Sequence, residues 1–383
     1  MKSIAFLVRY WPFFGGGETV TRLLASEFLR RGYRIYVLYW WDRYENRTYS
    51  DDDLFNKNKI DVPGPFQDSL TSQDSYHGLF LRLKEFLKEN NIDYIINQWW
   101  PAEVFEDTVS TKIISCHHAN VKKKDNSKNF LKLLYHNLCY KTYFKKTYPH
   151  IELLYQKSDL LVFLAQSYKE EFEKNSFFYS PQKPAAFMHN PCSYTEDIDA
   201  NECLKNKKKE VLFVGRIYEN YKKLTLLMSV WREVLNLGID DWTLKIVGDG
   251  PDLPLAKDTA KTLELTNIEF LGTKNPMEDY KTASIFVMTS AFEGWPMTIV
   301  EAQHYGVVPV VMNTFSALSE MLSDESGIII NSVRPQVMAK ELVSLMNNKE
   351  TLRHLANNAI KKAGEYSVGR VVDQWEKLLK SFR

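Results

Sequence analysis

Short apolar runs, bounded by glycine, proline or polar residues, alternate along the chain with longer stretches of helical periodicity. Apolar runs of this length are typical of strands buried on both faces of a parallel sheet. The predicted strands are 2–8, 34–39, 93–97, 112–116, 210–214, 242–247, 267–271, 284–289, 307–312 and 327–330. The predicted helices include 18–31, 76–90, 224–235, 298–305, 335–347, 350–365 and 366–382. Alternating strands and helices predict an α/β protein.

The strand pattern begins twice. Residues 193–210 are polar and charged without periodicity, which is typical of a linker. A second strand of the same form as the first then starts at Glu210. A chain of 383 residues also suits two domains better than one core. We therefore predict two Rossmann-like domains, 1–192 and 193–367, each with its own sheet.

The bulk composition is that of an ordinary globular protein, with 44% hydrophobic and 25% charged residues. A net charge of +1 gives no general attraction to nucleic acid, so no nucleic-acid partner is predicted. The four cysteines show no metal-binding spacing, and reduced thiols are expected. The first residues do not form a signal peptide, and no apolar run reaches the roughly 18 residues of a membrane helix. We therefore expect a cytoplasmic protein.

Two carboxylates, Glu293 and Glu301, flank the loop and helix start that follow the strand 284–289. Ligands bind at the carboxyl ends of strands in α/β sheets. Free N–H groups of Trp295, Met297 and Thr298 near the helix start could hold a phosphate or sugar hydroxyls. Pro296 has no N–H and suits the first turn of the helix. The plain interpretation of two Glu residues is that both are solvated surface acids, but Gly294, Pro296 and the flanking apolar strands favour a ligand site here.

The pattern of Glu293, seven residues and Glu301, with Gly294 and Pro296 between, resembles the signature of family 4 retaining glycosyltransferases. The resemblance implies that Glu293 contacts the donor sugar and that Glu301 holds the ribose of the nucleotide. Trp295 departs from the family's usual Phe or other apolar residue. A second signature is Gly215-Arg216 after a strand, followed by Lys222-Lys223. Arg216 matches cleanly and Lys222 fits better than Lys223, and such cations would neutralise a diphosphate leaving group.

Other positions match the family more loosely. Gly248-Asp249-Gly250 resembles its glycine turn beside the nucleotide, and Gly272 lies where a short strand and loop touch the base. Members of the family often carry a histidine near the donor sugar, at the end of the strand that corresponds to 112–116 in this chain. His118 takes that place here, with His117 as second choice.

The glycines after the first strand allow three interpretations. A dinucleotide fingerprint needs G-x-G-x-x-G/A, which Gly15 and Gly17 begin but Val20 does not complete, although Asp42 lies near the right distance for a ribose acid. A tight turn is the plain structural interpretation. The resemblance implies instead that Gly16 and Gly17 face the donor phosphates.

The resemblance implies a GT-B fold, in which two Rossmann-like domains face a central cleft and a carboxyl-terminal helix, here 368–383, packs back on the first domain. The implied reaction moves a sugar with retention from a nucleotide diphosphate sugar, with UDP favoured, to a glycan or lipid-linked glycan in bacterial surface polysaccharide synthesis. The donor is a co-substrate, and no other cofactor and no metal are expected. The alternatives are a sugar-nucleotide epimerase of the same form and a non-enzymatic sugar-binding protein.

A basic stretch, 121–148, interleaves eight lysines between Lys122 and Lys146 with aromatic and aliphatic residues. A basic amphipathic helix can lie on an anionic membrane surface. A solvated face of an ordinary helix explains the pattern as well. One interpretation is therefore peripheral binding to the inner membrane face.

Overall fold

The computed structural model describes residues 2–11, 15–40, 55–59, 73–105, 110–120, 149–175, 183 and 185–382. These residues form two compact units. The amino unit extends to Ser193 and takes in the chain again from Val368 onward, whereas the carboxyl unit is Tyr194–Ser367. Each unit has its own parallel sheet, so the predicted α/β class with two parallel sheets is confirmed.

The sheet of the amino unit has seven described strands in the order β3-β2-β1-β4-β5-β6-β7. All neighbouring pairs are parallel, and the central strands are buried along their length, as their apolar sequences predict. The strands are β1 Ser3–Leu7, β2 Arg34–Tyr39, β3 Asn56–Lys59, β4 Tyr94–Asn97, β5 Lys112–His117, β6 Leu160–Phe163 and β7 Ala185–Phe187.

Helices connect these strands. The described helices of this part of the chain are α1 Gly16–Arg30, α2 Gln73–Asn90, α3 Pro149–Lys157 and α4 Gln166–Asn175, with a 3-10 turn at Ala102–Val104. Helix α1 packs its apolar side, including Val20, Leu24 and Phe28, into the core.

The carboxyl unit has six strands in the order β10-β9-β8-β11-β12-β13, again all parallel. They are β8 Glu210–Val214, β9 Thr243–Val247, β10 Ile268–Gly272, β11 Ile285–Met288, β12 Val308–Met312 and β13 Ile328–Ile330. The helices are α5 Ala200–Lys205, α6 Glu219–Lys222, α7 Leu224–Asn236, α8 Leu253–Thr262, α9 Met277–Thr282, α10 Met297–His304, α11 Leu318–Met321, α12 Pro335–Met346 and α13 Lys349–Glu365. The apolar faces of α7 and α12 cover the sheet and form much of this core.

The segment predicted as an irregular linker, 193–210, contains helix α5. Its signal is a cap, because the Asp199 carboxylate accepts hydrogen bonds from the N–H groups of Asn201 and Glu202 at 2.8 and 3.2 Å. None of the residues of α5 is fully buried, so the helix has little apolar periodicity for the sequence to reveal.

The last helix, α14 Val368–Lys380, packs against α1 of the amino unit. Its buried side includes Val372, Trp375 and Leu379. Arg31 joins the two helices, since its guanidinium donates to Asp373 Oδ1 at 2.6 Å and to the Gly369 carbonyl at 2.9 Å. Although burial opposes it, hydrogen bonding to carboxylates raises the pKa of Arg31, so this cation stays charged.

Candidate active site

Three strands of the carboxyl unit end side by side in glycine. Gly215 follows β8, Gly248 follows β9, and Gly272 ends β10. The Gly215 N–H donates to the Val247 carbonyl at 3.0 Å, and the Gly248 N–H donates to Gly272 at 2.8 Å. This edge is the carboxyl end of a parallel sheet, where the sequence places the nucleotide.

The glycine turn after β9 touches the loop after β8 backbone to backbone. A Cβ atom on Gly248 would lie 2.0 Å from the Gly215 carbonyl oxygen, and one on Gly250 would lie 2.0 Å from that of Ile217. The Ile217 N–H also donates to the Asp249 carbonyl at 2.8 Å. Only glycine permits this approach, and the contact fixes the loop that carries Arg216.

A pocket of about 660 Å³ lies beside this loop. It brings together four of the predicted site residues: Arg216, Lys222, Glu293 and Gly294. The sequence interpretation missed the other residues that line it, which are Tyr218, Tyr221, Pro251 and Phe292. The two tyrosines are substantially exposed and carry no motif that would have identified them.

Lys222 and Glu293 form an ion pair in this pocket, with 2.6 Å between Nζ and Oε1. Their side chains are only 19% and 14% exposed, so the pair is largely withdrawn from water. An ammonium group has three N–H donors, and this contact occupies one of them. Lys222 can therefore stay paired with Glu293 and still donate to an anion, while the Arg216 side chain is exposed.

Helix α6, which ends at Lys222, is hydrogen-bonded to neighbouring elements. The Glu219 N–H donates to Asp252 Oδ2 at 2.7 Å, and the Ala291 N–H donates to the Tyr221 carbonyl at 2.7 Å. The Thr289 hydroxyl, just past β11, donates to the carbonyl of Lys222 at 3.1 Å. The last two bonds connect helix α6 to the segment between β11 and Glu293.

Lys223 is separated from Lys222 by a left-handed turn. Its φ of 53° and ψ of 47° reverse the chain between α6 and α7. Lys223 lines a different pocket together with Glu219 and Thr225. Neither Arg216 nor Glu293 lines that pocket. Of the two adjacent lysines, the structure brings only Lys222 to Arg216 and Glu293.

Helix α10 begins beside Glu293. Pro296 is its N-cap, and the N–H groups of Met297 and Thr298 in its first turn have no acceptor within the helix. Glu301 lies one turn further on and accepts a hydrogen bond from the Tyr280 hydroxyl at 3.0 Å. Tyr280 is fully buried, so it holds one carboxylate oxygen in place, and no sequence motif marked it.

Trp295 is buried and packs edge-on against Tyr366, with 5.2 Å between ring centroids. Its indole thus belongs to the core of the carboxyl unit. Any contact of Trp295 with a donor would be made through its backbone.

In the amino unit, His117 ends β5 and His118 follows it. The imidazole of His118 stacks on Trp99, with 4.5 Å between centroids and 19° between planes. Burial lowers the pKa of His118 to about 4, and burial together with His150 lowers that of His117 to about 3. Both rings are therefore neutral at neutral pH.

A pocket of about 400 Å³ surrounds these rings at the carboxyl ends of β4 and β5. Trp99 is 46% exposed, whereas Trp100 is buried and donates its indole N–H to the Val8 carbonyl at 2.9 Å. Of these two adjacent tryptophans, Trp100 therefore belongs to the core, and Trp99 is accessible at the pocket. Trp99 also packs on Gly17, where a Cβ atom would lie 2.5 Å from the indole nitrogen. Gly16 is the exposed first residue of α1.

Two features of the sequence analysis fall outside the described residues: Asp42 and the basic stretch 121–148. Within the described ranges, no cluster of three or more His, Cys, Asp or Glu side chains is arranged to hold a metal ion. Across the same residues, every helix is too short or too polar to cross a membrane.

Comparison with known proteins shows similarity to glycosyltransferases. Residues 195–362 match the family model described as glycosyl transferases group 1. An uncharacterized glycosyltransferase of Haemophilus influenzae is 23% identical over 99% of this chain and 100% of its own length. An alpha-1,4-N-acetyl-D-galactosaminyltransferase of Campylobacter jejuni, named for a PP-undecaprenol-linked glycan, is 24% identical over 51% of this chain and 55% of its own length.

Among solved structures, S. aureus TarM in complex with fondaparinux, alpha-GlcNAc-glycerol and UDP superposes with a TM-score of 0.74. It is 13% identical, and the match covers 99% of this chain and 100% of TarM. Since the match spans both units, it shows the fold of the whole chain. The carboxyl unit therefore matches the glycosyl transferases group 1 model along nearly its whole length, and the chain has the GT-B fold.

Proposed function

We propose that this protein transfers a sugar from a nucleotide diphosphate sugar, with UDP as the nucleotide, to a hydroxyl of a glycan or lipid-linked glycan. The observation that carries the proposal is the pocket at the carboxyl edge of the second sheet, where Arg216 and Lys222 lie with Glu293. The solved structure of a TarM mutant, which shares the fold, contains bound UDP. The Campylobacter relative is named for an undecaprenol-linked glycan. The broader process is bacterial surface polysaccharide synthesis.

The difficult step in such a transfer is departure of the nucleoside diphosphate. When the bond between the anomeric carbon and the phosphate oxygen breaks, negative charge develops on that oxygen. Arg216, Lys222 and the free N–H groups at the start of α10 are the donors for it. The acceptor oxygen forms its bond on the face that the leaving group vacates, which gives retention, and its proton passes to the departing phosphate.

Glu293 has two roles in this scheme. Its contact with Nζ keeps Lys222 within the pocket, and in the transfer reaction its carboxylate accepts a hydrogen bond from a donor sugar hydroxyl. Glu301 accepts from the ribose hydroxyls. Because Tyr280 already donates to one oxygen of Glu301, the carboxylate is oriented before the nucleotide binds.

The protein cations replace a divalent metal in this proposal. Arg216 and Lys222 supply two positive charges beside the phosphate site, and one of them is matched by Glu293. Transfer is therefore expected to persist in excess EDTA. A requirement for Mg²⁺ or Mn²⁺ would contradict this part of the proposal.

The pocket of the amino unit is suited to a sugar ring. Sugars pack on exposed aromatic surface, and Trp99, which stacks on His118, keeps part of its ring exposed at this pocket. Since His118 is neutral, it can both donate and accept a hydrogen bond to sugar hydroxyls. Trp99→Ala should raise the KM for a sugar substrate by about tenfold or more, whereas Trp99→Phe should retain much of the affinity.

The decisive assay incubates the purified protein with radiolabelled UDP-sugars and lipid-linked or free glycan acceptors. Label appearing in the acceptor with the donor's anomeric configuration, as read by NMR, supports the proposal. Conversion of the UDP-sugar to an epimer without an acceptor would identify an epimerase. Tight binding of UDP-sugar with neither product would identify a binding protein.

The location follows from the acceptor. We propose a cytoplasmic protein that binds the inner membrane face through the basic stretch between Lys122 and Lys146. Each lysine near an anionic surface contributes roughly 1 kcal/mol, which salt screens. The protein should float with anionic vesicles at low salt and be released at high salt. Failure to float at low salt would remove the membrane from the proposal.

A further inference from the structure

A larger cavity of about 740 Å³ lies at the opposite edge of the second sheet. Lys209 precedes β8, Trp242 precedes β9 and Ser284 precedes β11, and all three line it. Because the strands are parallel, these positions are amino ends, whereas Arg216 follows a carboxyl end. Lys209 and Gly215 are six positions apart along an extended chain, which is about 20 Å at roughly 3.3 Å per residue.

Cations surround this cavity. Five of them are Lys205, Lys207, Lys208, Lys349 and Arg353, and no Asp or Glu is among its described lining residues. Within the described part of the chain, none of the five forms an ion pair. The sixth, Lys209, is paired with Asp241. Five like charges around one cavity repel one another, so a bound anion would stabilise the arrangement.

Lys207 is the cation held most firmly. Its Nζ donates to the Tyr280 carbonyl at 2.9 Å, which leaves two N–H groups for a ligand. Burial lowers its pKa to about 8, so the amine is still mainly charged at neutral pH. The adjacent backbone is fixed as well, since the Lys208 N–H donates to the Thr282 carbonyl at 2.7 Å. At least part of the basic wall is therefore pre-formed.

The rest of the wall is apolar. Trp242 and Met346 are nearly fully buried at the cavity, and Leu204, Leu352 and Ala356 come from helices α5 and α13. The volume is within the range of small-molecule sites, which is roughly 300–1,000 Å³. An inorganic anion would leave this apolar surface uncovered.

From this combination we infer that the cavity is a second ligand site, which binds an amphiphilic phosphate: a phosphate monoester attached to an apolar group. The cations bind the phosphate and the apolar wall takes the attached group. The ligand is either a soluble phosphate ester or the head of a membrane lipid. The inference is independent of the transferase reaction, because none of these residues lines the Arg216 pocket.

The test compares two double variants of the full chain. Lys349→Ser/Arg353→Ser removes two exposed cations of the cavity. Lys261→Ser/Lys340→Ser removes two exposed lysines that lie outside it and is the matched control. Equal melting temperatures of the two variants would exclude a folding effect. Calorimetric titration with hexyl phosphate and with inorganic phosphate then measures binding.

We expect hexyl phosphate to bind the native protein and the control at least tenfold more tightly than inorganic phosphate does. The cavity variant should bind hexyl phosphate at least tenfold more weakly. Equal affinity in the two variants would overturn the site, and equal affinity for the two ligands would overturn its amphiphilic character. Flotation on phosphatidic acid vesicles that is lost only in the cavity variant would identify a lipid source. If hexyl phosphate binds but flotation does not differ between the cavity variant and the control, the ligand is a soluble ester.

Discussion

Gly250→Ala should abolish most of the transferase activity although it leaves every charged residue of the pocket, Arg216, Lys222 and Glu293, unchanged. The new Cβ atom would lie 2.0 Å from the carbonyl oxygen of Ile217, and real Cβ contacts essentially never come closer than 3.0 Å. The backbone of that loop must therefore move by about 1 Å, because a carbonyl cannot rotate away as a side chain can. Ile217 adjoins Arg216, so the guanidinium moves with it. A misplacement of this size costs on the order of 100-fold in rate.

Gly238→Ala is the control for this prediction. Gly238 has a φ of 86°, and a Cβ atom there would meet nothing within 4 Å. Alanine in the left-handed region costs about 1–2 kcal/mol, and overpacking at Gly250 costs about 1–3 kcal/mol. Urea unfolding should thus show two variants of similar stability. The transferase assay at 25 °C should show that only Gly250→Ala loses kcat/KM, and a Gly250→Ala variant with native kcat/KM would refute the argument.

Three further outcomes follow from the site. Arg216→Ala should lower kcat about 100-fold, as loss of a charge-stabilising donor does, and native turnover would exclude Arg216 from the mechanism. Glu301→Gln should weaken UDP binding by about tenfold or more in calorimetry and Tyr280→Phe by a smaller factor, and an unchanged affinity in Glu301→Gln would contradict the ribose assignment. Burial lowers the pKa of His118 from 6.5 to about 4, so the unfolded chain binds more protons in that window. The contribution of His118 to stability should therefore fall as the pH falls from 6.5 to 4, by up to about 1.4 kcal/mol per pH unit. His118→Gln should reduce the slope of the urea-unfolding profile by that amount, while the contribution of His117 remains.

The sequence predicts the central strands well because a strand buried on both faces must be apolar along its length. Strand β8 was predicted at 210–214 and forms at Glu210–Val214, with both of its faces buried. Helix α5 was missed for the opposite reason. It buries no residue fully, and only its Asp199 cap distinguishes it from a polar linker.

The candidate site was only partly accessible from the sequence. Adjacent lysines look alike in a spacing pattern, and it is the left-handed turn at Lys223 that separates Lys222 from its neighbour. The pairing of Lys222 with Glu293 joins residues 71 positions apart. Which of two adjacent tryptophans is exposed depends likewise on tertiary packing, since Trp100 finds a carbonyl partner in the core and Trp99 stacks on His118.

The return of helix α14 to the amino unit affects the order in which the protein can be completed during synthesis. The carboxyl unit is one continuous piece, Tyr194–Ser367, and its whole sequence has been made before Val368 is added. The amino unit is made first but lacks the helix that buries Trp375 until α14 has been made. The half of the molecule that emerges first from the ribosome is thus the last to be finished. A chain cut after residue 367 would have a complete carboxyl unit and an amino unit with an uncovered apolar surface along α1.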